Sequence, residues 1–203
     1  MHKLTELHLD ALSEVFNVGA GRAAASLSEI VNDVVKLSVP KVELKKTSET
    51  DISVMSLSSE RFGAVTQKFS GPFDANAMLL FTEEHALEIV RDMMGSQISI
   101  EELAEFEQEA MCELGNIILN ACLSSMADML KISLDSSLPT YRIASSAEIF
   151  DAISNDADMP FILVLHIDLT IESRHSEGQL IFLLSSASLK NLIAHIERFL
   201  GDI

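Results

Sequence analysis

Two long stretches of the chain carry apolar residues at the spacing of an amphipathic helix. In the first, which covers residues 4 to 31, the apolar positions are Leu4, Leu7, Ala11, Leu12, Val15, Val18, Ala24, Leu27 and Ile30. Intervals of three and four residues give a helix one apolar face, which packs against a core. The segment from Glu101 to Leu130 has the same period. The pattern therefore predicts two long helices.

Shorter runs rich in Val, Thr, Ile and Phe lie between these helices and indicate strands. The first half contains four such runs, at 41–45, 52–57, 62–69 and 77–81. The second half contains strand-like runs at 131–137, 161–172 and 178–184, and a mixed segment at 147–153. Each half closes with a short helix that is followed by glycine: one begins at the capping residue Thr82 and ends near Met94, and the other covers residues 187–200.

Both halves therefore have the same order: a long helix, a strand entry that contains proline, strands, and a short helix. This order indicates an internal repeat, with halves of about 1–98 and 99–203. We expect an α+β fold that forms one domain over residues 1–203, an internally duplicated pseudo-twofold unit. Its two long helices would pack on one continuous, largely antiparallel β-sheet.

The strongest sign of duplication is a set of polar positions that recurs at a constant offset of 99 residues. The first copy is Asp10, Glu14, Asn17 and Pro40, and the second is Glu109, Glu113, Asn116 and Pro139. Residues at i, i+4 and i+7 share one stripe of a helix, and these stripes lie opposite most of the apolar positions. Asn120 extends the second stripe by one turn. We expect the acids and amides to face solvent or a partner, and the prolines to shape the strand entry.

These side chains suit positioning rather than nucleophilic attack. A carboxamide does not titrate, and an exposed carboxylate is a weak base near neutral pH. An amide can nevertheless hold a water in line with a phosphoryl group, while a neighbouring carboxylate pairs with a cation of the partner. Gly19, Gly21 and Gly115 flank the motif, where glycine costs about 1 kcal/mol relative to alanine. Either close internal packing or close approach of a partner backbone would offset that cost.

Composition restricts the partners and the compartment. The formal charge is −17, with 31 acidic and 14 basic residues, which disfavours nucleic acid and anionic membranes, while 48% hydrophobic residues exclude a disordered acidic tail. The N-terminal residues lack the pattern of a signal peptide, and the longest strongly apolar run, 161–169, is too short to span a membrane. Cys112 and Cys122 lie about 15 Å apart on one predicted helix and cannot bridge each other. We expect a cytoplasmic protein without membrane insertion and without a metal site.

The pattern Asp-x3-Glu-x2-Asn-x22-Pro, present here as Asp10, Glu14, Asn17 and Pro40, is similar to the signature of the CheC/CheX/FliY phosphatases. The words around the motif, ALSEVFNVGAG in the first copy and ELGNIIL in the second, strengthen the resemblance, which spans essentially the whole chain. Because both copies keep Glu and Asn, the chain resembles the CheC type of this family.

The resemblance implies a hydrolase that removes the aspartyl phosphate of CheY-like response regulators in chemotaxis or related two-component signalling. Asn17 and Asn116 would orient the attacking water, and Glu14 and Glu113 would contact a lysine of the regulator. The chain would need no cofactor of its own, since the Mg²⁺ would belong to the regulator. The family has Asp or Ser where the second copy has Glu109, so the first copy is expected to be the stronger site.

Two other functions remain open. One is a noncatalytic binding module similar to the middle domain of FliM, which has this fold without the active residues. The other is an adaptor that sequesters another chemotaxis protein such as CheD, which CheC proteins often bind. Retained Glu and Asn pairs in both copies favour the phosphatase.

Overall fold

The computed structural model describes residues 4–49, 60–94, 100–154, 158–171 and 174–201. Within these ranges the helices and strands follow in the order α1 (Glu6–Val31), β1 (Val35–Lys46), a 3-10 turn (Thr47–Glu49), β2 (Arg61–Ser70), β3 (Ala75–Thr82), α2 (Glu83–Met94), α3 (Ile100–Leu130), β4 (Asp135–Ser136), β5 (Thr140–Ser145), α4 (Ser146–Ser154), β6 (Phe161–Ile171), β7 (Arg174–Leu184) and α5 (Ser186–Gly201).

The predicted α+β class, both long helices and both short closing helices are confirmed. Thr82 caps α2 as expected, because its Oγ1 accepts a hydrogen bond from the His85 N–H at 3.2 Å. The mixed segment around 147–153 is the helix α4, and β5 is a strand that the sequence pattern did not indicate. The strand expected at 52–57 lies outside the described residues.

The strand expected at 131–137 is wrong for most of its length, since only Asp135–Ser136 pairs as a strand. Lys131 and Ile132, the residues just after α3, form the C-terminal cap of the helix instead. Lys131 takes a left-handed conformation with φ 55°, and the Ile132 N–H donates to the Ala127 carbonyl at 2.9 Å. This is a Schellman-type helix end, which satisfies carbonyls that the last turn leaves open.

One continuous sheet joins the two halves of the chain. Its strand order is β1-β6-β7-β3-β2-β4, with β5 also paired to β2, and the pairings between described strands are antiparallel. The first strand of each half pairs with a strand of the other half, because β1 lies against β6 while β4 and β5 lie against β2. The two motif copies are therefore held on a shared sheet.

The long helices α1 and α3 pack against each other and against one face of this sheet. That face supports the larger core, in which Phe16 stacks on Phe182 with ring centroids 5.8 Å apart. The opposite face supports a smaller apolar cluster that includes Ile149 and Ile153 of α4. The apolar stripes of α1 and α3 thus face inward, which leaves their motif stripes on the outside.

Two of the three motif glycines are explained by this packing. A Cβ on Gly19 would lie 2.6 Å from Cys122 Cα, and a Cβ on Gly115 would lie 2.4 Å from Val65 Cγ1. Side chains at these positions would separate α1 from α3, or α3 from the sheet. Gly21 is different, since a Cβ there would meet nothing within 4 Å.

The segment Phe106–Leu130 of α3 passes a length and composition test for a membrane-spanning helix, with a mean hydropathy of 1.2 in its most apolar window. However, 61% of that window is buried inside the molecule. Burial against α1 and the sheet accounts for its apolar character, as in the core helix of a globular fold.

Candidate functional site

The structure places the motif acids of both copies on the outer surface of the two long helices. Asp10 and Glu14 are exposed on α1, and Glu109 and Glu113 are exposed on α3. Asn17 and Asn116 are only half-buried, at the border between each exposed stripe and the packed interior. The acids are therefore in solvent, whereas the amides can contact other parts of the protein. The two copies differ in the hydrogen bonds of these amides.

In the first copy, the Asn17 amide clamps α1 to β1. The Val39 N–H donates to Asn17 Oδ1 at 2.8 Å, and Asn17 Nδ2 donates to the Val39 carbonyl at 3.0 Å and to the Ser13 carbonyl at 2.9 Å. Because Val39 presents both a donor and an acceptor, only one orientation of the amide fits. Both hydrogens of Nδ2 are therefore engaged, and one lone pair of Oδ1 remains.

The backbone around Val39 explains why a clamp is needed. The pairing of β1 with β6 is interrupted between Ser38 and Lys41, so Val39 and the backbone of Pro40 lie at an irregularity of the ladder. Proline has no N–H to donate and is tolerated at such positions. Val39 itself is buried, so its N–H and carbonyl need partners inside the protein. Asn17 supplies both.

In the second copy, the Asn116 amide is held differently. Asn120 Nδ2 donates to Asn116 Oδ1 at 2.6 Å and to the Asn116 backbone carbonyl at 2.9 Å. Asn116 Nδ2 has no hydrogen-bond partner in the described part of the chain. The residue that corresponds to Val39 is Leu138, which lies between β4 and β5 and is 88% exposed. Among the described strands, none therefore has a backbone group that is hydrogen-bonded to the Asn116 amide.

A cleft of about 740 Å³ opens beside this amide. Its polar lining includes Glu109, Glu113 and Asn116, the three helical residues of the second motif copy. The rest of the lining is mostly apolar and comes from four segments of the chain: Ile30, Met93, Met94, Phe106, Ala110, Cys112, Leu138 and Pro139. The second copy thus combines acids, an amide with free donors and an apolar surround.

Cys112 is the one titratable thiol in the lining of this cleft. Its Sγ lies 3.8 Å from the Pro139 carbonyl, to which it donates. Burial raises the pKa of the Cys112 thiol, so the thiol stays protonated at neutral pH and is a poor nucleophile. Burial also raises the pKa of Cys122, to about 12. Both cysteines are unpaired, as predicted from their spacing.

Tyr141 joins β5 to α3 near the second motif copy. It follows Pro139 on β5, and its hydroxyl donates a hydrogen bond to Glu107 on α3. Burial, together with this carboxylate, raises the pKa of Tyr141, so the phenol remains a donor. The strand and the helix that carry the second copy are thereby tied to each other.

A separate group of acids and a histidine lies on β6 and β7, where Asp168 pairs with Ser38 of β1. Atoms of Asp168, His175 and Glu177 lie within 4.8 Å of one another, close enough to hold a cation. The His175 ring lies 4.0 Å from Asp168 and 3.8 Å from Glu177, and its two pairs are largely exposed. Exposed pairs of this kind contribute little to stability. Sequence spacing gave no sign of this group, because strand pairing brings its members together.

Comparison with known proteins supports the resemblance predicted from the motif. Residues 7–44 match the model of the CheC-like family, a range that contains the whole first motif copy. The chain is 25% identical to the CheY-P phosphatase CheC of Bacillus subtilis over 159 residues, which is 77% of this chain and 74% of that protein.

Solved structures share the fold. FliY of Thermotoga maritima superposes with a TM-score of 0.78 at 22% identity, covering 98% of this chain and 100% of that one. The CheX chain in a complex of CheX, CheY, BeF3 and magnesium from Borrelia burgdorferi superposes with a TM-score of 0.51 at 15% identity, covering 85% and 97%. The chain is therefore similar in sequence to CheC-like proteins and in fold to FliY and CheX, as the motif predicted.

Proposed function

We propose that this chain is a phosphatase that hydrolyses the aspartyl phosphate of a CheY-like response regulator. The observation that carries the proposal is the Asn116 amide, which borders a cleft and whose Nδ2 hydrogens have no partner among the described residues. Sequence similarity to the CheY-P phosphatase CheC, with 25% identity over 77% of the chain, supports the reaction class. Glu113, one helical turn before Asn116, supplies a negative charge beside it.

The chemistry needs positioning more than it needs a nucleophile from this chain. Water attacks phosphorus, the bond between phosphorus and the aspartyl oxygen breaks, and the products are inorganic phosphate and the free aspartate. The amide can donate to a phosphoryl oxygen or accept from the water, which holds the water in line. The protonated Cys112 takes no part as a nucleophile.

Charge at the cleft suits the proposed partner. Glu113 can pair with a lysine of the regulator, and Glu109 adds a second negative charge one turn away. The Mg²⁺ of the reaction belongs to the regulator, where it neutralises the phosphoryl oxygens. We assign no cofactor to this chain. A partner that is itself a cytoplasmic signalling protein implies a cytoplasmic location.

The second copy is the principal site in this proposal. Asn17 has both Nδ2 hydrogens committed to Ser13 and Val39, so it could donate to a phosphoryl group only by breaking one of these two hydrogen bonds. From Asp10 and Glu109 alone, the first copy was expected to be the stronger site; the hydrogen bonds of the two asparagines favour the second copy instead. Glu14 and Asn17 remain a second, weaker candidate site.

The apolar rim gives the regulator a surface to dock on. Leu138, Phe106 and Met94 are large and exposed beside the motif acids. Exposed apolar groups around a polar site are typical of protein interaction surfaces. The CheX protein of the Borrelia structure was captured with CheY, BeF3 and magnesium, which supports a receiver domain as the occupant.

The direct test measures phosphate loss from receiver proteins of the same genome, phosphorylated with acetyl phosphate in the presence of Mg²⁺. We expect acceleration with at least one receiver, and we expect Asn116→Ala to lower it about a hundredfold. Ser124→Ala, an exposed change two turns further along α3, is the matched control and should retain activity.

Two outcomes would replace the phosphatase proposal. Binding of a phosphorylated receiver without any acceleration would indicate a noncatalytic module similar to FliM. Capture of CheD by the wild-type chain, with no effect on any phosphorylated receiver, would indicate an adaptor.

A further inference from the structure

The second copy contains a residue that the motif does not include but that controls the proposed catalytic amide. We propose that Asn120 is a positioning residue for Asn116, an inference that rests on the proposed function. Asn120 Nδ2 donates hydrogen bonds to two oxygens of Asn116, the backbone carbonyl oxygen and the side-chain Oδ1.

The direction of these hydrogen bonds decides how the Asn116 amide is presented. Asn120 acts only as donor toward Asn116, so the side-chain oxygen of Asn116 must face Asn120. The Nδ2 group of the same planar amide must then face away from Asn120. Without this contact the amide could turn over about its last side-chain bond, because that torsion is broad and nearly two-fold. Asn120 thereby keeps the two donor hydrogens available to the cleft.

The same contact strengthens those donors. A hydrogen bond accepted at the amide oxygen polarises the group and makes its N–H bonds better donors. One lone pair of Asn116 Oδ1 stays open, which allows it to accept from the attacking water. Asn116 can thus contact water and phosphoryl oxygen together, as in-line attack requires.

The first copy shows what happens without this residue. The position that corresponds to Asn120 is Gly21, which is 99 residues earlier and has no side chain to offer. There the amide oxygen is held by the Val39 N–H, and the amide nitrogen is held with it. Asn120 therefore leaves the Nδ2 donors of Asn116 without a described partner, whereas Val39 and Ser13 together take both donors of Asn17.

Asn120 is half-buried, and the cleft lining does not include it. A residue in this position acts through Asn116 rather than on the regulator. Its removal should lower kcat and leave KM and regulator affinity unchanged. This separation distinguishes positioning from a docking role.

The test compares Asn120→Ala, Asn120→Asp and the Ser124→Ala control on a phosphorylated receiver that the wild type hydrolyses. We expect Asn120→Ala to lower kcat about tenfold, which corresponds to one lost hydrogen bond. Asn120→Asp has the same shape but accepts instead of donating, so it should turn the amide over. We expect it to lower kcat about a hundredfold, the scale of a misplaced catalytic group. Affinity for the receiver loaded with beryllofluoride should change less than twofold in both variants.

The activity of the Asn120→Asp variant should also partly recover at acidic pH. Below the pKa of the introduced carboxyl, its O–H can donate to Asn116 Oδ1 as Asn120 does. Its activity relative to the wild type at the same pH should therefore rise as the pH falls from 7 to 5. A helix that was merely damaged would show no such recovery.

A second readout does not depend on activity. The Asn116 side-chain amide, assigned in a ¹⁵N NMR spectrum by its absence from Asn116→Ala, should shift or broaden in Asn120→Ala. An unchanged signal would overturn the inference, as would variants with wild-type kcat or with raised KM. If no receiver is hydrolysed by the wild type, the proposed function fails, and this spectrum still decides whether Asn120 holds the amide.

Discussion

The two copies of one motif have diverged in how their asparagines are used. Asn17 closes a gap between helix and strand, with three hydrogen bonds to backbone groups. Asn116 makes none of these equivalent contacts and is gripped by Asn120 instead. The same residue type at the same helical position is therefore mainly structural in one half and available for chemistry in the other.

The physical cause is the path of the chain before each proline. In the first half, Val39 is buried and leaves two backbone groups that need partners inside the protein. In the second half, Leu138 is exposed, and its carbonyl accepts a hydrogen bond from the Ser137 hydroxyl at 3.1 Å rather than from Asn116. Local backbone burial, rather than the motif residues, decides what each amide does.

The largest expected effect is on catalysis at the second copy. Asn116→Ala should lower kcat about a hundredfold, because it removes the donors that position water and phosphoryl group. Its free energy of unfolding should change little, since Asn116 Nδ2 holds no described group. Phosphate release assays and urea unfolding of the same preparation check both statements. A fully active Asn116→Ala would contradict the assignment of roles.

Asn17→Ala should show the opposite profile. It leaves the buried Val39 N–H and carbonyl without partners, which should lower the free energy of unfolding by about 2 to 3 kcal/mol. The activity of the folded fraction should fall less than tenfold. Urea unfolding and assays below the unfolding transition measure the two quantities. Loss of all activity with unchanged stability would show that the first copy is the principal site.

The glycines of α1 offer a matched pair two residues apart. Gly19→Ala places a methyl group 2.6 Å from Cys122 Cα, and overpacking against backbone should cost about 2 kcal/mol. Gly21→Ala meets no atom within 4 Å and should stabilise the helix by about 1 kcal/mol. Melting temperatures should move in opposite directions. A destabilised Gly21→Ala would show that its surface is less open than described.

The smallest effect concerns Glu43 on β1, the strand that Asn17 clamps. Burial alone would raise the pKa of Glu43, but hydrogen bonds from Lys41 and His166 and the charge of Lys45 lower it to about 2. The folded pKa thus lies below the ordinary value of 4.5, so these contacts stabilise the fold above that pH. The stabilisation is lost as the pH falls toward 2.

Glu43→Gln should therefore lower the free energy of unfolding at pH 7 by at most about 1 kcal/mol, the scale of partly exposed pairs. The difference from the wild type should shrink between pH 5 and pH 3. Urea midpoints across this range measure it, with Glu29→Gln as a control for the loss of one exposed charge. A difference that does not vary with pH would show that the Glu43 charge contributes nothing to holding β1.

The sequence alone determined the long helices and the duplication. Apolar residues at helical spacing over some 30 positions leave few alternatives to two helices with one buried face. A constant offset of 99 residues then identified eight motif positions, and the structure places the four acids on the exposed surface. These are properties of local period and spacing, which a sequence records directly.

Only the tertiary structure decided the rest. The pairing of β1 with β6 and of β5 with β2 joins residues far apart in the chain, and short strands such as Thr140–Ser145 carry too weak a pattern to be recognised alone. The use of Asn17 likewise depends on a backbone 22 residues away. Because a hydrogen bond is made by whichever group the fold brings near, the sequence identified both asparagines, and the fold made them unequal.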